Sequence, residues 1–175
     1  MMQMLEAGGL PPKTDGERVA DDDNPKGYYE WEEIKKVKAN PNLMLEEGLE
    51  NKAIKAVTMV LDELPYAHNY KVIFMTRPID EVVASQAKMI KNRQTEGAQQ
   101  TEDELKRELV QHRNYVRRRI HSNPRAEVLE IDYPTLVAKP QEMVELIGDF
   151  LGNEKLPHPE NMAAVVDPSL HRQKT

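Results

Sequence analysis

Cysteine is absent, and Trp and Phe are scarce: one Trp and two Phe stand among 175 residues. Without thiols there are no disulfide staples, thiolate metal sites or cysteine nucleophiles. The absence fits a reducing compartment, and the cytoplasm is the expected location. No apolar run approaches the ~20 residues that cross a bilayer. The start has no charged stretch followed by an apolar one, so neither anchor nor secretory signal is expected. Positive charge is also short. Lys and Arg number 24 against 30 Asp and Glu, for a formal net charge of −6. Polyphosphate backbones and acidic membranes are repelled on average, so neither nucleic acid nor membrane is an expected partner. A small anion needs only a local cluster of Arg and Lys and stays allowed.

What is present is ordinary for one globular domain spanning 1–175: 39% apolar and 31% charged residues. Tyr70 to Thr76 is a nearly continuous run of β-branched and aromatic residues, the pattern of a strand covered on both faces. Glu127 to Ile131 and Ala53 to Thr58 read as two further strands. Helices are expected over Tyr28 to Lys38, Ile79 to Asn92, a capping-box start at Thr101 to about Ile120, and Pro140 to Leu151, where Gly152 stops the last. Val60 to Leu64 reads as a helical turn ended by Pro65, and Asn161 to Val165 as a short helix. Arg93 to Gln100 is polar and expected to be a mobile loop. Alternating strands and helices imply a three-layer α/β/α domain with a mainly parallel sheet. Three strands are few for a sheet buried on both faces. Met1 to Ala7 consists largely of helix formers stopped by Gly8-Gly9, so the chain opens on a helix with no strand before it. Both features lead to the expectation that an upstream part of the fold is missing. Unpaired sheet edges would then leave self-association open.

Chemistry concentrates at Arg77-Pro78-Ile79-Asp80-Glu81-Val82-Val83-Ala84-Ser85. In an open α/β sheet, ligands bind outside the carboxyl ends of the strands, where Arg77 stands. An Arg fork and a Ser hydroxyl in the next helix can both donate to one phosphate. The plainer alternative pairs Arg77 with a nearby carboxylate and makes Ser85 a packing residue.

An Arg after a strand with a Ser eight positions on resembles the 3′-phosphate motif of sulfotransferases that use 3′-phosphoadenosine 5′-phosphosulfate. Val128-Leu129-Glu130-Ile131-Asp132-Tyr133-Pro134-Thr135-Leu136 is similar to that family's late strand with its Tyr-Glu-Asp-Leu-like end. Pro140 through Phe150-Leu151-Gly152 resembles the helix that follows it. Asp23-Asn24-Pro25-Lys26-Gly27-Tyr28-Tyr29-Glu30 resembles a segment of bacterial members, and Met1 to Gly9 the helix after the phosphate loop. The likeness runs in order along nearly the whole chain.

The resemblance implies a P-loop NTPase-like fold and transfer of a sulfuryl group from the nucleotide to a hydroxyl or amine. It implies no metal; the Asp21-Asp22-Asp23 run lacks calcium-loop spacing. Arg77 and Ser85 would grip the 3′-phosphate. Arg172, with His171 and Lys174, lies where the family has a basic 3′-phosphate segment, without that segment's Arg-Lys-Gly pattern. The family's first strand and its Pro-Arg-Ser-Gly-Thr-type loop, which cradles the 5′-phosphosulfate, would precede Met1. The expectation is a chain truncated before that loop, which binds the donor poorly unless the loop exists upstream. Many members carry a His two residues after a Lys at the place of Lys55-Ala56-Val57, where no His occurs. Lys55 can meet phosphosulfate oxygens or be a structural lysine. Glu30 is the first candidate for the general base; its alternative is a carboxylate at a helix start. His112, Arg113, Arg117, Arg118, Arg119 and His121 form a basic stretch, read chiefly as a solvated helix face.

The resulting expectation is a sulfotransferase-like protein with an unidentified small-molecule, glycan or peptide acceptor. The alternative is a non-catalytic remnant acting as a nucleotide-binding or protein-interaction module. A kinase relative is disfavoured by the lack of a Lys-bearing phosphate loop.

Overall fold

The computed structural model describes residues 1–18, 20–21, 24, 26–46, 48–61, 63–66, 68–93 and 101–171, with backbone alone for 88–93. Two strands, β1 (Tyr70–Thr76) and β2 (Ala126–Asp132), pair in parallel, with Tyr70 opposite Ala126 and Thr76 opposite Asp132. Parallel strands require a crossover. Here it carries α3 (Ile79–Arg93) and α4 (Glu102–Ser122).

Strand periodicity sorts the side chains onto two faces. Ile73, Met75, Leu129 and Ile131 pack into a core built from α1 (Met2–Ala7), α5 (Tyr133–Ala138), α6 (Pro140–Leu151) and α7 (Pro159–Met162). Val72, Phe74 and Val128 turn the other way, onto Val116 and Ile120 of α4 and Leu61 of the short α2 (Thr58–Leu61). Helices thus cover both faces of a small parallel sheet, which makes the domain α/β. A separate apolar cluster gathers Trp31, Ile34, Val37, Leu43, Leu49 and Val60.

Local signals explain the ends of the helices. Thr101 accepts from the Glu104 N–H at 3.3 Å, and the Glu104 carboxylate accepts from the Thr101 N–H at 3.0 Å, a complete capping box. Donation from the Thr101 hydroxyl at 2.7 Å, with that from its N–H, holds the Glu104 carboxyl below its usual range. Pro140 opens α6, and Gly152 ends it at φ 97°.

Two expected elements are absent from the described residues, each for a backbone reason. Ala53 to Thr58 makes no strand. Ala53 forms a single parallel bridge with Pro12, and the chain enters α2 at Thr58. The segment opposite is Pro11-Pro12, and neither proline has an N–H to extend a ladder. The helix expected over Tyr28 to Lys38 shrinks to a 3₁₀ turn, Glu32–Lys36, because Tyr29 sits at φ 53°, outside any right-handed helix. The 94–100 part of the expected polar loop, and Arg172, lie outside the described residues.

Gly8 and Gly9 do more than stop α1. The Gly8 carbonyl accepts from the His158 N–H at 3.0 Å, and a Cβ on Gly9 would lie 2.6 Å from the Pro157 ring. Gly9 also holds φ 98°. Gly9→Ala is expected to cost roughly 1–3 kcal/mol of stability through the strained φ and the rigid contact together. Urea denaturation checks this, and an unchanged midpoint overturns the contact.

Candidate functional site

Arg77 leaves the carboxyl end of β1 one residue after Thr76, and Pro78 turns the chain into α3. Its Nε donates to Oε2 of Glu81 at 2.7 Å. The same oxygen lies 2.8 Å from Nε2 of His171, ninety positions further along the chain. Glu81 is 3% exposed and His171 9%. Burial pushes the Glu81 carboxyl up, but the bonds from Arg77 and His171 outweigh it and hold the group below its ordinary range. An ionised carboxylate only accepts, so His171 donates through Nε2–H. The Arg77 guanidinium lies over the Tyr133 ring, 5.2 Å from its centroid, and that ring meets His171 edge-on at 5.2 Å. Burial raises the Tyr133 hydroxyl above its ordinary value. Arg113 donates to the Arg77 carbonyl at 3.4 Å.

The carboxylate pairing weighed for Arg77 is therefore present, as an i,i+4 pair with Glu81. Ser85 is half-buried and stands a further four positions along α3. On a helix that spacing stacks Glu81 and Ser85 on one face. Ser85 thus shares a side of α3 with the carboxylate that Arg77 bonds.

The second constellation surrounds Glu30. Tyr29, in the left-handed region, turns the backbone, and the Glu30 carbonyl is held by the Thr14 hydroxyl at 3.0 Å and the Asp15 N–H at 3.1 Å. The Glu30 carboxylate accepts from Arg18 at 3.1 Å and lies 3.6 Å from Lys55 Nζ. Lys55 also donates to the Tyr28 carbonyl at 2.7 Å. Arg18 stacks on the Tyr28 ring, 3.3 Å from its centroid, and the Tyr28 hydroxyl donates to Asp21 at 2.7 Å. Glu30 and Lys55, twenty-five positions apart, are neighbours. Tyr28 and Asp21 join them from segments the sequence marks for other reasons, and Arg18 joins with no sequence signal of its own.

A model of the sulfotransferase family matches residues 29–157, nearly three-quarters of the chain. The chain belongs to the sulfotransferase family. No curated protein and no solved structure matches it. The sulfotransferase match spans Glu30, Lys55, Arg77, Glu81 and Ser85, whereas His171 and Arg172 fall beyond it.

The basic stretch on α4 of this sulfotransferase-family chain lies on a largely solvated face, as expected, and several of its side chains are bonded within the chain. Arg117 and His121 share the Glu130 carboxylate at 2.5 and 2.9 Å, Arg119 bonds the Tyr66 hydroxyl, and His112 meets the Thr58 hydroxyl at 2.8 Å. Among the described residues no helix is long and apolar enough to cross a membrane, and no three acidic or histidine side chains are grouped to hold a metal ion.

Glu81 is the site residue that pattern reading passed over, although its i,i+4 spacing from Arg77 is a visible signal. Tyr133 was legible as part of the late strand's motif, not as a ring under Arg77.

Proposed function

We propose that this chain is built to use 3′-phosphoadenosine 5′-phosphosulfate as sulfuryl donor, on a three-layer, P-loop NTPase-like α/β frame. Arg77 and Ser85 would donate to the donor's 3′-phosphate. The observation that carries the reading is the braced guanidinium at the exit of β1, with Ser85 one turn beyond the carboxylate that braces it. The Arg77 side chain is a quarter exposed, enough to meet a ligand. Charge-assisted donation to a phosphate is the strongest use of such a fork. No Gly-x-x-x-x-Gly-Lys-Ser/Thr run occurs in the 175 residues, so the reading concerns the 3′-phosphate end of the donor.

In the transfer, an acceptor hydroxyl or amine bonds to sulfur as the sulfur–oxygen bond to the 5′-phosphate breaks. Adenosine 3′,5′-bisphosphate leaves, and the acceptor proton passes to a base. Glu30 is the proposed base. Lys55 and Arg18, gathered on it, would offset negative charge on the sulfuryl oxygens.

One observation favours the alternative of a binding module without turnover: Oε1 of Glu30 already pairs with two cations, which is a structural use of the carboxylate. Titration with adenosine 3′,5′-bisphosphate and with adenosine 5′-phosphate tests the shared element of both readings. The bisphosphate is expected to bind at least tenfold tighter, about 1.4 kcal/mol, from the extra phosphate. Equal affinities would refute the 3′-phosphate site. Transfer of radiolabelled sulfate from the donor to any of a panel of phenols and amines would then separate enzyme from binding module.

A further inference from the structure

The late segment from Pro159 to His171 crosses the molecule as a strap. Its start lies against α1, through the contact of the Gly8 carbonyl with His158 and the packing of Met162 into the shared core. Its middle meets the loop ahead of Glu30, where Lys26 donates to the Val165 carbonyl at 3.1 Å and stands 3.8 Å from Asp167. Asp167 accepts from the Ser169 N–H at 3.0 Å and its hydroxyl at 2.6 Å, which closes the 3₁₀ turn Pro168–Leu170 and delivers His171 inward. His171 then reaches the one carboxylate oxygen that Arg77 also uses.

Arg77 and His171 both meet at Glu81. A buried carboxylate with one donor would be left partly unsatisfied, and such a group recruits or reorients whatever donor is near. With His171 in place, Glu81 is shared between two donors, one of them Arg77 through Nε. Tyr133 covers one face of the guanidinium and presses its edge on His171. Take His171 away and two restraints loosen together: the Glu81 oxygen loses its second donor, and Tyr133 loses the ring that backs it. Arg77 would then be drawn deeper onto Glu81.

We infer that His171 is a positioning residue for the phosphate-binding arginine, acting through Glu81 and Tyr133, so that docking of the strap and recognition of the 3′-phosphate are one coupled event. The inference rests on the proposed role of Arg77. It goes beyond it by assigning specificity for the ribose phosphate to a side chain that never touches the ligand. Coupling is reciprocal: a ligand bound through Arg77 holds the strap down as firmly as the strap holds Arg77.

The test uses the full chain and two nucleotides, adenosine 3′,5′-bisphosphate and adenosine 5′-phosphate, with calorimetry on each variant. His171→Leu fills the same space without a donor, and His171→Gln restores one. His171→Leu is expected to lower the affinity ratio of the two nucleotides about tenfold, the scale of one charge-assisted bond, while affinity for adenosine 5′-phosphate stays as it was. His171→Gln should regain most of the ratio. A loss that falls equally on both nucleotides, or a ratio unchanged in His171→Leu, overturns the inference. If the unaltered chain itself shows no preference, the 3′-phosphate reading fails and the inference with it. A preference that survives in His171→Leu leaves the reading standing and removes the inference alone. Should His171→Leu fail to fold, Glu81→Gln carries the same test. Positioning predicts a lower ratio there, whereas a higher one would mean that Glu81 only neutralises Arg77 and would overturn the proposal.

Discussion

Arg77→Ala is expected to weaken adenosine 3′,5′-bisphosphate binding by about 1.5–3 kcal/mol, the worth of a hydrogen bond to a charged group. The same change should also destabilise the folded chain, because it removes the nearer partner of a carboxylate that is 3% exposed. Breaking a buried pair by deleting one member costs on the order of 3 kcal/mol, and the bond from His171 that remains keeps the loss at or below that figure. The two effects separate by pH. In the intact chain the Glu81 carboxyl is held below its ordinary 4.5. A depressed folded value means that this stabilisation is complete above about 4.5, and is lost as pH falls through the lowered value. Without Arg77, burial remains and its strongest counterweight is gone, so the carboxyl moves back up. The acid-unfolding midpoint should therefore shift to higher pH in Arg77→Ala. Circular dichroism across the acid range, beside calorimetry at neutral pH, reads both. An unmoved acid midpoint would show that Glu81 does not depend on Arg77, and unchanged affinity would remove Arg77 from the nucleotide site. Arg77→Lys keeps the charge but not the fork, so its affinity should fall between the two.

The largest loss of stability is expected from Ile147→Ala. Ile147 is 0% exposed, in the middle of α6, and belongs to the core that joins α1, β2 and α7. Removing three carbons there leaves a cavity that the surrounding elements close only in part, at a cost of about 2–5 kcal/mol. Total stabilities of single domains are only roughly 5–15 kcal/mol, so the variant should approach unfolding at physiological temperature. Leu146, next along the same helix, is 40% exposed, and Leu146→Ala should stay within about 1 kcal/mol of the parent. Urea titrations of the pair give a direct comparison. Similar midpoints for both variants would mean that α6 does not present the face described.

The elements legible in the sequence are those whose signals are local and uncontested. β1 and β2 announce themselves by β-branched runs, α4 by Thr101 and Glu104, and α6 by Pro140 at one end and Gly152 at the other. The failures are equally physical. A strand needs a partner, and Ala53 to Thr58 reads well alone but faces two prolines. A helix needs every residue right-handed, and the favourable composition after Tyr28 is overruled by one positive φ at Tyr29. For the site, Arg77 and Ser85 are nominated by the family motif they resemble, and the carboxylate that Arg77 bonds lies between them in sequence. The bond between Glu81 and His171 closes over ninety residues, and no window of sequence holds both. The meeting of Glu30 and Lys55 is hidden in the same way, with Arg18 and Tyr28 arriving from loops that have no periodicity.

The packing of α1 has a consequence for how the polypeptide acquires its shape. Met4 and Leu5 are buried against Leu156 and Met162, partners made some 150 residues later. While the ribosome is still at work, those methionines and leucines have nothing to cover them. Long-range closures of this kind come late and slowly, with sticky surface bare in the meantime. Nascent chains should therefore lean on holdase chaperones until the last helices emerge.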